Sequence, residues 1–238
     1  MEEQFSVQSL ISSHLRKKTR GEEKREIKSW YASGLGGCLT SRYLQRTQET
    51  IPTEYDDRTL RVFASGKHFE DWLVEILKAE IGDKSCQTQV RCEDEELNLT
   101  GYADFLVTTP LGNKIVYECK TKHSRAFFYM KNKGEGPMVQ HKMQLWSYLY
   151  CLKINEGRLI YIEKDSLSLL EYPIFLADAK LEAIVRDELN ELNACLRERH
   201  VPAPVMDKKD WRYKYCRLHE QCLEAYKQQE EKNNTLKI

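Results

Sequence analysis

Four short motifs carry the side chains best suited to chemistry. In YECK, Glu118 and Lys120 are two residues apart on a β-prone run, which places a carboxylate and an ammonium on one face of the predicted strand. Asp104 lies in GYAD, on a second β-prone run. Two carboxylates converging at a strand end provide the hard oxygen ligands that Mg²⁺ or Mn²⁺ prefers. Such a metal beside a lysine predicts in-line displacement at a phosphoryl group.

A turn separates the two β-prone runs. Pro110, Gly112 and Asn113 lie between LNLTGYADFLVTT and KIVYECKTK, and these residue types favour a tight connection. We therefore expect a β-hairpin that brings Asp104 close to Glu118. For an isolated ExK triplet the alternative is a surface strand with a weak ion pair, and the elements on either side of the hairpin decide between the two.

Helices are predicted on both sides of the hairpin. In SGKHFEDWLVEILKAE the apolar residues recur at helical spacing, and His68 lies at the edge of their stripe, where it would meet a metal or be a partly buried, hydrogen-bonded histidine. The run VQHKMQLWSYLYCLKI is apolar almost all round, which predicts deep packing. Gln144 and Tyr148 share one face of this helix with His141. Buried polar groups need partners, either in an active site or on the sheet.

The series His, GxxD, ExK and QxxxY resembles the RecB-like branch of the PD-(D/E)XK nuclease superfamily, which includes CRISPR-associated RecB-like exonucleases and phage exonucleases. The resemblance extends from about Gly36 to Tyr150. It implies an α/β/α restriction-endonuclease-like core with a central mixed sheet. It also implies Mg²⁺ or Mn²⁺ as the cofactor and cleavage of DNA, commonly from an end.

The resemblance also implies roles for individual residues. The implied metal ligands are His68, Asp104, Glu118 and the backbone carbonyl of Cys119. The implied catalytic set is Asp104, Glu118, Lys120 as the catalytic lysine, and the positioning pair Gln144 and Tyr148.

Cysteines suggest a second metal site. CRISPR-associated relatives often hold an iron–sulfur cluster with one cysteine before the histidine motif and three near the C-terminus. Cys38, Cys216 and Cys222 resemble three of these positions, while the remaining position is Tyr213, a poor substitute for a soft thiolate. Two alternatives stay open: His219 as a fourth ligand, or a vestigial site in which the cysteines only pack.

The other five cysteines lack ligand spacing and are expected to act as small buried residues. These are Cys86, Cys92, Cys119, Cys151 and Cys195. Eight cysteines without a recognisable signal peptide favour a reducing compartment, and we predict a cytoplasmic protein.

A basic and aromatic segment between ExK and QxxxY is predicted to contact DNA. Its cations would follow phosphates, its aromatic rings would stack on bases, and Gly134 and Gly136 would let it move as a lid. The alternative is a connecting loop whose aromatic side chains pack into the core. The residues predicted to contact DNA are Lys122, Arg125, Phe127, Phe128, Lys131, Lys133 and, before the first catalytic helix, Arg42.

Composition is typical of one globular enzyme. The chain has 238 residues, of which 41% are hydrophobic and 31% charged, and no stretch is long and apolar enough to span a membrane. Lys plus Arg equals Asp plus Glu at 37 each, so the net charge does not indicate a nucleic-acid binder. We predict a single nuclease domain: an N-terminal helical cap (1–62), a catalytic core (63–175) and a C-terminal helical region (176–238).

The sequence thus predicts a metal-dependent DNA exonuclease of phage DNA processing, recombination or CRISPR adaptation, with single-stranded or end-containing duplex DNA as substrate and proteins of those pathways as partners. Two alternatives belong to other classes. One is a DNA-end-binding module with weak or no catalysis, and the other is an iron–sulfur or zinc structural protein. Asp104, Glu118 and Lys120 favour an enzyme, because no binding role requires that triad. A restriction endonuclease is less favoured because of QxxxY.

Overall fold

The computed structural model of the chain describes residues 6–20, 27–48 and 55–235. Its centre is a six-stranded mixed sheet. The strands are β1 (Trp30–Tyr31), β2 (Cys86–Asp94), β3 (Leu99–Thr108), β4 (Lys114–Lys122), β5 (Glu156–Glu163) and β6 (Leu169–Phe175). Strand β3 is antiparallel to β2 and β4 and parallel to β1, β4 is parallel to β5, and β5 is antiparallel to β6. The predicted central mixed sheet is confirmed.

Helices pack on both faces of this sheet. They are α1 (Val7–Arg20), α2 (Leu39–Thr47), α3 (Asp57–Ile81), α4 (Ser124–Asn132), α5 (Val139–Leu152), α6 (Ala179–Glu198), α7 (Trp211–Lys214) and α8 (His219–Thr235). The Asp56 carboxylate caps α3 by accepting a hydrogen bond from the Thr59 amide, and α6 ends at Arg199 in the left-handed conformation, before Pro202. None of the helices in the described ranges combines the length and apolar character needed to cross a membrane.

Two apolar cores lie on opposite faces of the sheet. On one face, α5 and α6 cover side chains that include Val116 and Leu159. On the other face, α3 covers a smaller core that includes Phe105 and Ile162. Helix α5 is buried over most of its length, because its side chains are apolar on nearly every face. The deep packing predicted for this helix is confirmed, and so is the α/β/α arrangement.

The predicted hairpin forms between β3 and β4. Phe105 pairs with Tyr117 in antiparallel register. The next two positions away from the turn are Asp104 and Glu118, which this register places opposite each other. The chain reverses through Thr109 to Asn113, where the Thr109 amide donates a hydrogen bond to the Asn113 carbonyl. Gly112 has a φ of +83°, a conformation that glycine adopts without steric cost.

A third, smaller core joins the N-terminal and C-terminal parts of the chain. It lies where α2, α6 and α8 meet, and its buried members are Tyr43, Leu44, Cys195, Leu218 and Cys222. The predicted boundary at residue 62 falls within α3, and β1 brings part of the N-terminal segment into the sheet. The charged stretch at 21–26 lies outside the described residues. The polar stretch beyond Glu224 continues α8 to Thr235.

Candidate active site

The backbone of β3 is irregular at Asp104. Strands β2 and β3 pair on both sides of Gln89 and Asp104, but these two residues do not pair with each other. Gln89 has a φ of +49°. On the other side of β3, β1 pairs up to Thr100 and β4 pairs from Phe105 onward. Within the described chain, the residues between them therefore face a gap between two strands. Irregularities of this kind re-aim side chains beside active sites.

Glu118 is the centre of a polar cluster under α5. Its side chain is 2% exposed. The Lys120 ammonium donates a hydrogen bond to Glu118 Oε1 at 2.5 Å, and the Gln144 amide donates to the same oxygen at 2.8 Å. Gln144 Nε2 also lies 3.0 Å from the Tyr148 hydroxyl oxygen, to which it donates. The ExK strand and the QxxxY helix thus meet at one carboxylate oxygen.

Asp104 joins this cluster through the backbone. The Cys119 amide donates a hydrogen bond of 2.8 Å to Asp104 Oδ2, which fixes this carboxylate beside the strand that carries Glu118 and Lys120. The prediction that these three side chains come together is confirmed by their positions. Their catalytic roles, and the role of the Cys119 carbonyl, stay predictions.

Burial makes the two carboxylates unfavourable as anions. Burial, reinforced by the charge of Glu118, raises the pKa of Asp104 well above its ordinary value, although Lys120 opposes this. Burial also raises the pKa of Glu118, again against the opposing charge of Lys120. For Lys120, burial opposes the ammonium form, but the charges of Glu118 and Asp104 outweigh it and raise the pKa. The lysine therefore stays cationic between two acidic groups.

Gly101, the first residue of GYAD, leaves room for the Tyr148 ring. A Cβ at this position would lie 2.7 Å from Tyr148 Cε1 and 3.3 Å from the Cβ of Ala32. Burial and the charge of Glu118 raise the pKa of Tyr148 well above its ordinary value. The hydroxyl group therefore keeps its proton, and the glycine lets this hydroxyl approach the carboxylate cluster.

His141 is a neutral neighbour of the cluster. Its Nδ1 atom lies 2.8 Å from the Tyr161 hydroxyl. Burial, together with the charges of Lys120 and Lys122, lowers the pKa of His141 to about 3. This histidine carries no charge at neutral pH.

Helix α3 presents Glu70 to the cluster, whereas His68 is exposed. Glu70 contributes, after burial, to the raised pKa values of Asp104 and Glu118, and Gln89 Nε2 donates a hydrogen bond of 2.8 Å to its carboxylate. Two residues on a helix are about 200° apart around the axis, so a rotation that directs Glu70 inward directs His68 outward. This placement does not support His68 as a metal ligand.

The donor set fits a hard divalent cation. Glu118 Oε2 is buried and has no hydrogen-bond partner among the described residues, which is costly unless a ligand completes the site. Carboxylate oxygens, which Asp104 and Glu118 supply here, are the donors that Mg²⁺ and Mn²⁺ prefer. The Glu70 carboxylate lies on the α3 side of the site and is ion-paired with Lys67 at 2.7 Å.

Comparisons with known proteins agree with this geometry. No family model matches the chain. The chain is 29% identical over 118 residues to the CRISPR-associated exonuclease Cas4 of Saccharolobus solfataricus, a match that covers 50% of this chain and 48% of that protein. It therefore spans about half the length of this curated relative.

Solved structures share the fold over most of the chain. The crystal structure of SSO0001 superposes with a TM-score of 0.58 at 24% identity, covering 90% of this chain and 95% of that one. LHK-Exo in complex with dAMP superposes with a TM-score of 0.53 at 16% identity, covering 76% of this chain and 95% of that one. LHK-Exo is an alkaline exonuclease from Laribacter hongkongensis. The fold is restriction-endonuclease-like, as the sequence predicts.

Three cysteines that are distant in sequence converge. The Sγ atoms of Cys38, Cys216 and Cys222 all lie within 4.8 Å of one another. Hydrogen bonds from Cys216 and Cys222 lower the pKa of Cys38, which favours its thiolate. Among the described residues, the group does not include His219, whose ring centroid lies 4.0 Å from that of Tyr213.

Most of the segment predicted to contact DNA forms helix α4. Phe127 is 5% exposed and packs in the core, which contradicts its predicted stacking on bases and matches the alternative that this aromatic is a core residue. Phe128 is exposed, and Arg125 lies 6.0 Å from the Tyr129 ring centroid. Lys131 and Lys133 are also exposed, while Lys122 is half-buried, 5.7 Å from the ring centroid of Tyr161.

Proposed function

We propose that this chain is a metal-dependent DNA exonuclease. The observation that supports this most directly is the buried Glu118 carboxylate, which accepts hydrogen bonds from Lys120 and Gln144 on one oxygen and lacks a partner within the described chain on the other. A binding module would gain nothing from this arrangement. A hydrolase gains an open metal position beside a permanent cation.

Each residue has a stated role in this proposal. Asp104 and Glu118 hold Mg²⁺ or Mn²⁺, with Glu70 as the third carboxylate near the cation. When bound, the cation polarises the phosphoryl group and activates water. Lys120 places its positive charge where negative charge develops in the transition state. Gln144 holds Glu118 in orientation through the hydrogen bond to Oε1.

The substrate, and its cleavage from an end, are inferred from the relatives. Cas4 of S. solfataricus and LHK-Exo are exonucleases by name, and we propose DNA with accessible ends as the substrate, in phage DNA processing, recombination or CRISPR adaptation. Proteins of these pathways are the proposed partners. The whole chain, 1–238, forms one nuclease domain in this proposal. All eight cysteines are free, which supports the reducing, cytoplasmic setting.

Cleavage of end-labelled and circular DNA tests the activity. Linear single-stranded and duplex DNA should be degraded in Mn²⁺ and left intact in EDTA, while a covalently closed circle should resist. Lys120→Ala should lose at least about 100-fold in rate, the scale of one removed electrostatic stabiliser. Lys114→Ala is the matched control, because Lys114 lies on the same strand but is exposed at its other end. Binding of ends without cleavage would instead support the DNA-end-binding module.

We propose that Cys38, Cys216 and Cys222 hold a second, structural metal group. Three converging thiols fit either zinc or an iron–sulfur cluster, since both are bound by thiolates. The group would join the segment before α2 to α8. A fourth ligand would come from outside this triad, because Tyr213 stands at the remaining position of the motif.

A further inference from the structure

The carboxylates of the candidate active site are each fixed through one oxygen. Asp104 accepts a hydrogen bond from the Cys119 amide on Oδ2, and Glu118 accepts two on Oε1. No hydrogen bond between described residues reaches Asp104 Oδ1 or Glu118 Oε2. Carboxylates that ligate a metal are commonly fixed by hydrogen bonds of this kind, which orient the oxygen that faces the ion.

Glu70 follows the same pattern from α3. Its charge contributes to the raised pKa values of Asp104 and Glu118, so it acts on the same site. Its Oε1 atom accepts a hydrogen bond of 2.8 Å from Gln89 Nε2 and one of 2.7 Å from Lys67. Within the described chain, its Oε2 atom accepts none. The Glu70 side chain is 12% exposed, which makes it a nearly buried carboxylate with one open oxygen.

Gln89 and Lys67 differ as donors to Glu70. The Lys67 side chain is 50% exposed and also pairs with Asp71 at 3.0 Å. Exposed ion pairs contribute little and are screened by salt, so this lysine fixes the carboxylate weakly. The Gln89 amide is a neutral, directional donor. Among the described residues it donates to Glu70 alone.

Strand β3 reverses its faces where it meets Gln89. Residues two apart on a regular strand point to the same face. On β3, however, Ala103 packs in the core under α5, whereas Phe105 packs in the core under α3. The reversal falls at Asp104, the residue that Gln89 faces without pairing.

The backbone of Gln89 is left-handed at this point. Its φ of +49° is uncommon for a residue with a Cβ atom. Local irregularities in a ladder re-aim the side chains beside them, so this conformation bears on the direction of Asp104. The side chain of the same residue reaches Glu70 on α3. Gln89 therefore contacts, through its backbone and its side chain, the surroundings of carboxylates from two different elements.

We propose that Gln89 is a positioning residue for the catalytic cation. Its amide orients Glu70 and its left-handed backbone directs Asp104, so one residue sets the relative placement of carboxylates from α3 and β3. This role rests on the proposed metal-dependent function and extends it by identifying what holds the third carboxylate. Gln144 provides the matching contact to Glu118 from α5.

Two substitutions separate the side chain of Gln89 from its backbone. Gln89→Gly removes the amide, while glycine adopts a positive φ without steric cost. Gln89→Val also removes the amide, and its branched Cβ disfavours the left-handed conformation. In titration calorimetry of the full-length protein with Mn²⁺ alone, Gln89→Gly should weaken binding about 10-fold to 100-fold, with Tm in EDTA unchanged or higher. Gln89→Val should weaken binding at least as much and lower Tm.

A double-mutant cycle tests whether Gln89 acts through Glu70. In a Glu70→Ala background, Gln89→Gly should change Mn²⁺ affinity by less than about 2-fold, because the partner of the amide is gone. Gln87→Gly is the matched control, since Gln87 is exposed on the same strand and pairs regularly with Leu106. It should lower Tm, because glycine weakens a strand, and leave Mn²⁺ affinity unchanged.

The outcomes distinguish the positioning role from the nuclease. Unchanged Mn²⁺ affinity in Gln89→Gly overturns the role of the amide even if wild type degrades DNA. An equal loss of affinity with and without the Glu70 carboxylate overturns action through Glu70. Wild-type Tm and affinity in Gln89→Val overturn the role of the backbone. Wild type that binds no Mn²⁺ overturns both the positioning role and the proposed metal-dependent function.

Discussion

Replacement of Asp104 by asparagine should stabilise the metal-free protein while abolishing its activity. Burial and the charge of Glu118 raise the pKa of Asp104 well above its ordinary value, so the ionised carboxylate is unfavourable in the folded state at neutral pH. The amide oxygen of asparagine still accepts the hydrogen bond from the Cys119 amide. The substitution therefore removes a like charge beside Glu118 and keeps the local geometry.

The expected gain in the free energy of unfolding is about 1 to 3 kcal/mol, the scale on which a poorly compensated buried polar group acts. For a chain of this length, 1 kcal/mol corresponds to roughly 2 to 4 °C, so the Tm of Asp104→Asn in EDTA should rise by roughly 2 to 12 °C. In saturating Mn²⁺, the wild type should instead have the higher Tm. A ligand at 100 times its Kd stabilises by about 2.7 kcal/mol, and only the wild type keeps both carboxylate ligands.

The difference in Tm should depend on pH. Because the pKa of Asp104 is higher in the folded than in the unfolded state, the folded state binds the proton more tightly. Below the ordinary aspartate pKa of about 3.9 both states hold the proton, and the carboxyl group costs nothing. As the pH rises through the raised folded pKa, the destabilisation develops in full. The advantage of Asp104→Asn should therefore vanish near pH 4 and be largest at neutral pH.

Calorimetric scans in EDTA and in Mn²⁺ across this pH range make the measurement. Asp83→Asn is the matched control, because the Asp83 side chain is 85% exposed and its replacement should shift Tm little at any pH. A lower Tm for Asp104→Asn in EDTA at neutral pH would refute the electrostatic reasoning. Equal stabilisation of both proteins by Mn²⁺ would refute Asp104 as a ligand.

Four further substitutions probe the site and its support. Glu70→Gln should weaken Mn²⁺ binding about 10-fold to 100-fold, the scale of a group that supports metal ligands, whereas His68→Ala should leave it unchanged in titration calorimetry. Cys216→Ser should remove bound iron or zinc in elemental analysis, bleach any visible absorption and lower Tm. Gly101→Ala should cost about 1 to 3 kcal/mol in urea unfolding, because the added Cβ would overlap the Tyr148 ring.

Specific results would contradict each of these expectations. A stronger effect of His68→Ala than of Glu70→Gln on metal affinity would restore the histidine as the ligand. Wild-type protein without iron or zinc after anaerobic purification would mean that the cysteines only pack. An unchanged midpoint and slope in urea for Gly101→Ala would show that the Tyr148 ring moves freely.

The hairpin and the helix that covers it could be predicted because their signals are local. The turn residues fix which strands pair, and a two-residue spacing fixes which side chains share a face, so the contact between Glu118 and Lys120 followed from the sequence. The contact between Gln144 and Tyr148 followed from a four-residue spacing on a helix.

The rotation of α3 could not be predicted as firmly. Its stripe of apolar residues is broad, and Trp72 and Ile76 are exposed on the helix surface, so hydrophobic pattern alone does not decide which polar residue faces the sheet. One signal was present: Glu70 is three residues before Leu73, which is buried, and therefore lies near the packed face. The burial of residues on α4, such as Phe127, was equally hard to predict, because an aromatic residue beside basic residues suits both a core and a DNA-binding surface.

The convergence of Cys38 with Cys216 has a consequence for the order in which the molecule assembles. The two residues are about 178 positions apart, and closing a loop of that length costs on the order of 5 kcal/mol in chain entropy. The β3–β4 hairpin is built from contacts that are local in sequence, and such contacts can form early. The segment 211–218, which lines the same cavity as Lys120, comes late in the chain, between α6 and α8. We therefore expect the hairpin that carries Asp104, Glu118 and Lys120 to form before the contact between Cys38 and Cys216, which needs nearly the whole chain.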